Sequence, residues 1–132
     1  MARVALDADV VIAFLDAGDD QHARAIELVR ERLAAGDEIL VGASVYAEVM
    51  VRPLQRGADA IVDAFLDGIG ATIVPVDRGA ARLAAQLRAR HRSLRLPDAL
   101  ALAAAVGADA ELLTLDQRLR RIAAGEQPPE AR

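Results

Sequence analysis

A compact α/β protein with a parallel sheet covered on both faces is the fold class that the sequence predicts. Short apolar segments that read as strands alternate with longer segments of helical period, which is the pattern of consecutive β–α units. The strand candidates are short apolar runs, as expected of strands buried on both faces. Neither an internal repeat nor a low-complexity linker divides the 132 residues, a length that suits one domain with a single core.

The first strand is Arg3 to Leu6, and Asp9 is placed to cap a helix over VVIAFLD. Asp19 or Asp20 opens a longer helix to about Ala35, with Ala23, Ile26, Val29 and Leu33 on one face and Gly36 as its stop. Glu38 to Val41 is the second strand. Ser44 can cap a helix through VYAEVMV, which Pro53 disturbs or ends. Asp59 opens the helix AIVDAFLDGI, which stops at Gly70. Thr72 to Val76 is the third strand, and Asp77 caps a helix through roughly His91. Pro97 marks the start of ALALAAAV, closed by Gly107. Glu111 to Leu115 is the fourth strand, followed by the short helix QRLRRIAA. The domain is expected to span residues 1–124, and the tail at 125–132, with Pro128 and Pro129, to fray.

Composition removes several kinds of chemistry. With no Cys, there are no disulfides, thiolate zinc sites or cysteine nucleophiles. Every basic residue other than the two His is Arg, so Schiff-base and P-loop chemistry, which need Lys, are excluded. Two Phe, one Tyr and no Trp leave an aliphatic core and little aromatic stacking. A net charge of −4 argues against broad electrostatic attraction of nucleic acid. The longest apolar run, Ala99 to Val106, is too short to cross a bilayer, and no signal-peptide pattern opens the sequence. A soluble cytoplasmic protein is the expectation.

Four acids stand where strands turn into helices or where helices open: Asp7 after RVAL, Glu48 in SVYAE, Asp98 in LPDAL and Asp116 after LLTL. Open α/β sheets bind ligands beyond the carboxyl ends of their strands, and the helices that follow begin at that same edge. Topology can therefore gather all four, and like charges brought so close are stabilised by a divalent cation. Asp7, ending an apolar strand, needs a compensating charge or several donors. Glu48 is expected in a mostly buried helix among Val45, Tyr46, Val49 and Met50. Asp116 equally fits an N-cap, and Asp98 beside Pro97 a helix-dipole partner. Asp9 fits capping or an outer contact to a metal. Acids such as Asp16, Asp37, Asp63 and Glu126 read as solvated charges, and His22 and His91 lack metal-ligand spacing. Arg88, Arg90, Arg92 and Arg95 fit a solvated helix face; their position just before Asp98 also suits phosphate contacts.

The ordered set RVALDADVVIAFLD, SVYAE, LPDALALAAA and LLTLDQRL resembles the PIN domain, and within it the VapC toxins of toxin–antitoxin pairs. The resemblance spans nearly the whole chain. It implies a three-layer α/β/α fold around a parallel sheet of four or five strands, and a magnesium- or manganese-dependent endoribonuclease. It aligns Asp7, Glu48, Asp98 and Asp116 with the family's acidic quartet. Asp7, Asp98 and Asp116 are then the metal ligands, and Glu48 acts through water or on the nucleophile. The Arg cluster becomes a candidate RNA contact. The resemblance further implies a homodimer silenced by a VapB-type antitoxin. Where the family carries Ser, Thr or Asn two residues after the first acid, this chain has Asp9, which adds negative charge to the pocket. DADVV also fits the start of haloacid-dehalogenase-type phosphatases with Asp7 as nucleophile, although these use a Lys that is absent here. A response-regulator receiver lacks its Lys in the same way. A catalytically silent PIN-like module that binds metal or partner is the non-enzymatic alternative.

Overall fold

The computed structural model describes residues 2–126. It contains four strands and seven helices: β1 (Arg3–Leu6), α1 (Ala8–Leu15), α2 (His22–Ala34), β2 (Glu38–Gly42), α3 (Ala43–Arg56), α4 (Asp59–Gly68), β3 (Thr72–Val74), α5 (Arg78–Arg90), α6 (Leu96–Gly107), β4 (Glu111–Leu113) and α7 (Gln117–Glu126). The strands form one sheet in the order β3-β2-β1-β4, with every pairing parallel. With the right-handed crossover that parallel strands follow, this order puts the helices between β1 and β3 on one face and those between β3 and β4 on the other. The result is an α/β/α sandwich with a four-stranded centre.

The central strands explain why the apolar segments carried no polar alternation. Val4, Ala5 and Leu6 of β1 are all buried, as are Ile39, Leu40 and Val41 of β2, because helices cover both faces. Against them α6 lays an almost wholly small or aliphatic surface, with Ala99, Ala101, Leu102, Ala103 and Ala105 buried. The end of β2 and α6 approach closely: a Cβ added to Gly42 would lie 3.0 Å from the Cβ of Ala104.

Several element ends differ from the sequence expectation, each for a physical reason. β1 enters α1 without a loop, so Asp7 rather than Asp9 is the N-cap, its side chain accepting from the Ala8 N–H. Helix α2 starts at His22; Asp16 and Asp19 instead accept from the Gly18 and Gln21 N–H groups in tight turns of the connection. Its buried face is Ala25, Leu28 and Val29, whereas Ala23 and Leu33 are exposed. Gly42, not Ser44, caps α3, which runs through Pro53 to Arg56 and stops where Gly57 turns left-handed at φ 67°. α4 ends at Gly68. β3 stops at Val74 because Pro75 has no N–H for the ladder. β4 stops at Leu113 because Thr114 and Leu115 turn toward α7 and bond to side chains instead. α7 includes Gly125 and Glu126, where a frayed tail was expected, and Glu126 pairs with Arg90 and His91 of the α5 end. The remainder of that expected tail, 127–132, lies outside the described residues.

Candidate active site

The register of the sheet creates the site. Leu6 of β1 pairs with Leu113 of β4, so the next residues, Asp7 and Thr114, leave the sheet side by side at its carboxyl edge. The Asp7 N–H continues the ladder to the Leu113 carbonyl at 2.9 Å. Its carboxylate is then almost fully buried, 8% exposed. One oxygen accepts from the Ala8 N–H at 2.8 Å and the other from the Thr114 hydroxyl at 2.8 Å.

Thr114, which sequence reasoning passed over, is the hub of the cluster. Its hydroxyl also lies 3.2 Å from an Asp9 oxygen and accepts from the Asp116 N–H at 3.1 Å. A hydroxyl has one proton to donate, so Asp7 and Asp9 compete for it. Asp9 further accepts from the Leu115 N–H, at 3.1 Å. The signal was present in LLTLD, where a buried hydroxyl interrupts an apolar run. Its meaning depended on which strand lies alongside.

Asp98, in the first turn of α6, contributes a buried oxygen without a hydrogen-bond partner among the described residues. Two guanidinium groups stand near it without bonding: Arg118 Nη2 at 3.7 Å and Arg95 Nε at 3.9 Å. Arg118 is itself anchored on the Ser93 carbonyl at 3.0 Å.

Mutual repulsion links these acids. Burial, followed by the Asp9 charge and then reinforced by Asp98, pushes the Asp7 pKa up to about 6, against the opposing Thr114 and Ala8 bonds. Asp9 is raised by burial and by Asp116, partly offset by the Leu115 and Thr114 bonds. Glu48 is raised by loss of hydration, then by Asp7 and Asp98, with Arg95 pulling the other way.

Each anticipated residue can now be placed. Asp7, Asp9, Glu48 and Asp98 act on one another electrostatically. Asp116 reaches this group through Asp9 and Thr114, while one of its oxygens caps α7, accepting from the Arg118 and Leu119 N–H groups at 2.9 and 3.1 Å. Glu48 is not in the buried part of its helix: α3 buries Val45, Val49 and Met50, and Glu48 sits exposed at the border of that stripe. Of the four clustered arginines, Arg95 adjoins the acids. Arg88 bonds the Arg92 carbonyl, and Arg90 is engaged by Glu126 at 2.8 Å. Asp63, read as a solvated charge, accepts from the Tyr46 hydroxyl at 2.8 Å, and His22 bonds the Ala13 carbonyl.

Among the described residues no three acidic or imidazole side chains form a ready-made metal cage. The donor set nevertheless fits a hard divalent cation. It offers only carboxylate oxygens, one of them the orphaned, buried Asp98 Oδ2, and its principal member is held up in pKa by burial and by like charge.

Comparisons with known proteins bear on the fold and the family. VapC20 of Mycobacterium tuberculosis, a toxin that cleaves the sarcin–ricin loop, superposes with a TM-score of 0.70 at 18% identity, over 89% of this chain and 93% of that one. VapBC2 of Rickettsia felis, bound to a DNA fragment from its promoter, gives 0.68 at 18% identity over 91% and 92%. At that identity they show a shared fold. No curated protein matches the sequence significantly. The PIN domain family model matches residues 4–125, almost all of the described chain, and it is to the PIN domain family that this chain belongs.

Proposed function

We propose that the chain is a metal-dependent endoribonuclease, the toxin of a VapBC-type pair, acting in the cytoplasm on RNA phosphodiesters. One observation carries the reading: a carboxylate buried at the sheet edge, Asp7, crowded by Asp9, Glu48 and Asp98 and raised to a pKa of about 6. Asp7, Asp98 and Asp116 would hold a magnesium or manganese ion, which supplies the positive charge that an anionic phosphodiester needs in order to approach. The protein supplies the rest. Thr114 and the Leu115 N–H fix the orientation of Asp7 and Asp9. Glu48, the exposed acid, is the one placed to meet water. Its raised pKa suits it to take the proton as the water oxygen bonds phosphorus and the phosphorus–oxygen ester bond breaks. Arg95 and Arg118, beside Asp98, provide cationic contacts for flanking phosphates.

A VapB-type antitoxin and a second copy of the chain are the partners. Val51 and Leu54 on α3 and Ile61 on α4, each more than half exposed, offer them an apolar surface. No helix among the described residues is long and apolar enough to cross a membrane. The family assignment favours hydrolysis by this route over the phosphatase reading of DADVV.

The test combines cleavage with binding. Wild-type protein should cut labelled RNA with magnesium and stop on chelation, while Asp98→Asn folds normally but neither cuts nor gives the heat of divalent-ion binding in calorimetry. Cleavage that persists in chelator, or an active Asp98→Asn, would refute the metal assignment. Ion binding without cleavage of any RNA would favour the silent module.

A further inference from the structure

A second feature borders the carboxylates without being used by them. Between the starts of α3 and α6 lies a cleft of about 270 Å³ lined by Ser44, Val45, Glu48, Pro97 and Leu100. Its walls are aliphatic apart from two groups. Glu48 connects it to the acidic cluster, and Pro97 directly precedes Asp98. The other polar group is the Ser44 hydroxyl, which is buried and has no hydrogen-bond partner among the described residues. Ser44 is in the first turn of α3, yet Gly42 is the cap, so the hydroxyl is not committed to the helix end. A buried hydroxyl left unbonded is costly unless a ligand satisfies it.

We propose that this cleft is a nucleobase subsite, seating the base of a nucleotide next to the scissile phosphate, with the Ser44 hydroxyl turning from its buried position about its side-chain torsion to bond the base edge. The proposal rests on the ribonuclease reading and deepens it. The lining selects the occupant. The lining itself holds Glu48 and no cation, Arg95 acting on Glu48 from outside it, so a phosphate finds no direct partner there. An unstacked base instead offers flat apolar faces to Val45, Pro97 and Leu100 and a polar edge to a hydroxyl. Single-stranded RNA is recognised by splaying out bases in this way. The size agrees, since ligand pockets for larger molecules begin at about 300 Å³ and a cleft of about 270 Å³ has room for one base. The placement also agrees: Glu48 belongs to both cleft and cluster, so a base in the cleft borders the carboxylates.

Ser44→Ala removes the bonding atom and suits a helix; Leu100→Phe fills the cleft. Neither residue belongs to the proposed machinery for cleavage. Both variants and the wild type are incubated with randomised single-stranded RNA and magnesium, and the ends are sequenced. Binding to the same RNA is measured in parallel with calcium in place of magnesium. The expected result is a base preference at one position beside the cut that weakens about tenfold in Ser44→Ala, the worth of one hydrogen bond to a base. For Leu100→Phe a raised KM with nearly unchanged kcat is expected. Unaltered preference and affinity in Ser44→Ala, or loss only of antitoxin binding in either variant, would overturn the subsite. If the wild type binds RNA without cutting it, the nuclease reading fails while the subsite is still decided by the binding of Ser44→Ala; no binding at all overturns both.

Discussion

Replacing Asp7 by Asn should stabilise the ion-free protein, although the residue is almost fully buried and bonded on both oxygens. In the folded chain burial is the main reason that the Asp7 pKa stands at about 6 rather than at the ordinary 3.8. A carboxylate raised by folding favours the folded state while it is protonated. That contribution is complete below pH 3.8, erodes as the pH rises toward 6, and is gone above it. The step is worth about 3 kcal/mol, at about 1.36 kcal/mol per pH unit. Asn mimics the neutral acid: its oxygen can keep the Ala8 N–H, its amide can donate to Thr114, and the Thr114 proton is then released to Asp9. In chelator at pH 8, Asp7→Asn should therefore exceed the wild type by up to about 3 kcal/mol. With an m-value of about 2 kcal/mol per molar, this is a rise of about 1.5 M in the urea midpoint. The difference should shrink between pH 6 and pH 4. Saturating magnesium should close it from the other side, since a ligand at a hundred times its Kd adds about 2.7 kcal/mol to the wild type alone. A variant less stable than the wild type at pH 8, or a difference that grows on acidification, would refute the reasoning.

Other substitutions probe different contacts. Thr114→Val removes the donor shared by Asp7 and Asp9 and the acceptor of the Asp116 N–H. It should cost about 1–3 kcal/mol in urea denaturation and raise the Asp7 pKa further, read by carboxyl NMR. Gly42→Ala places a Cβ 3.0 Å from that of Ala104 and should cost about 1–3 kcal/mol, and Ala104→Gly in the same chain should restore part of it.

How much of this was legible beforehand depended on what kind of fact was at issue. The convergence of Asp7, Glu48 and Asp116 follows from chain order, since Asp7 ends a strand and the other two belong to the starts of helices that come directly after strands. Asp98 opens α6, which follows α5, and its place at that edge needed the structure. The aliphatic core was equally open to reading, because strands buried on both faces carry no alternation to misjudge. Helix starts were less so. Asp9 and Ser44 are good capping residues, yet the strands run so directly into α1 and α3 that Asp7 and Gly42 occupy the capping positions. Glu48 was misjudged because its apolar neighbours said that α3 has a buried face, without saying on which side of its border position 48 falls. Thr114 marked itself only as a hydroxyl interrupting the apolar run LLTLD, and its role could not be read from that. Its importance comes from the Leu6–Leu113 register, which sets it against a residue 107 positions away in sequence.

Asp9 connects that geometry to function. As a support for the turn into α7 it needs only an acceptor for the Leu115 N–H, and a neutral Asn or Ser side chain could provide one. The negative charge adds nothing to that bond that the fold requires. It competes for the single Thr114 proton and is the largest cause, after burial, of the raised Asp7 pKa. A charge that weakens the ion-free protein and is dispensable for the local bond acquires a use once a cation enters, because the repulsion it adds becomes attraction to the ion. If the chain binds a cation as proposed, its departure from the Ser, Thr or Asn of the family it resembles exchanges ion-free stability for cation affinity. The same exchange, at larger scale, is what burying Asp7 would accomplish on that reading.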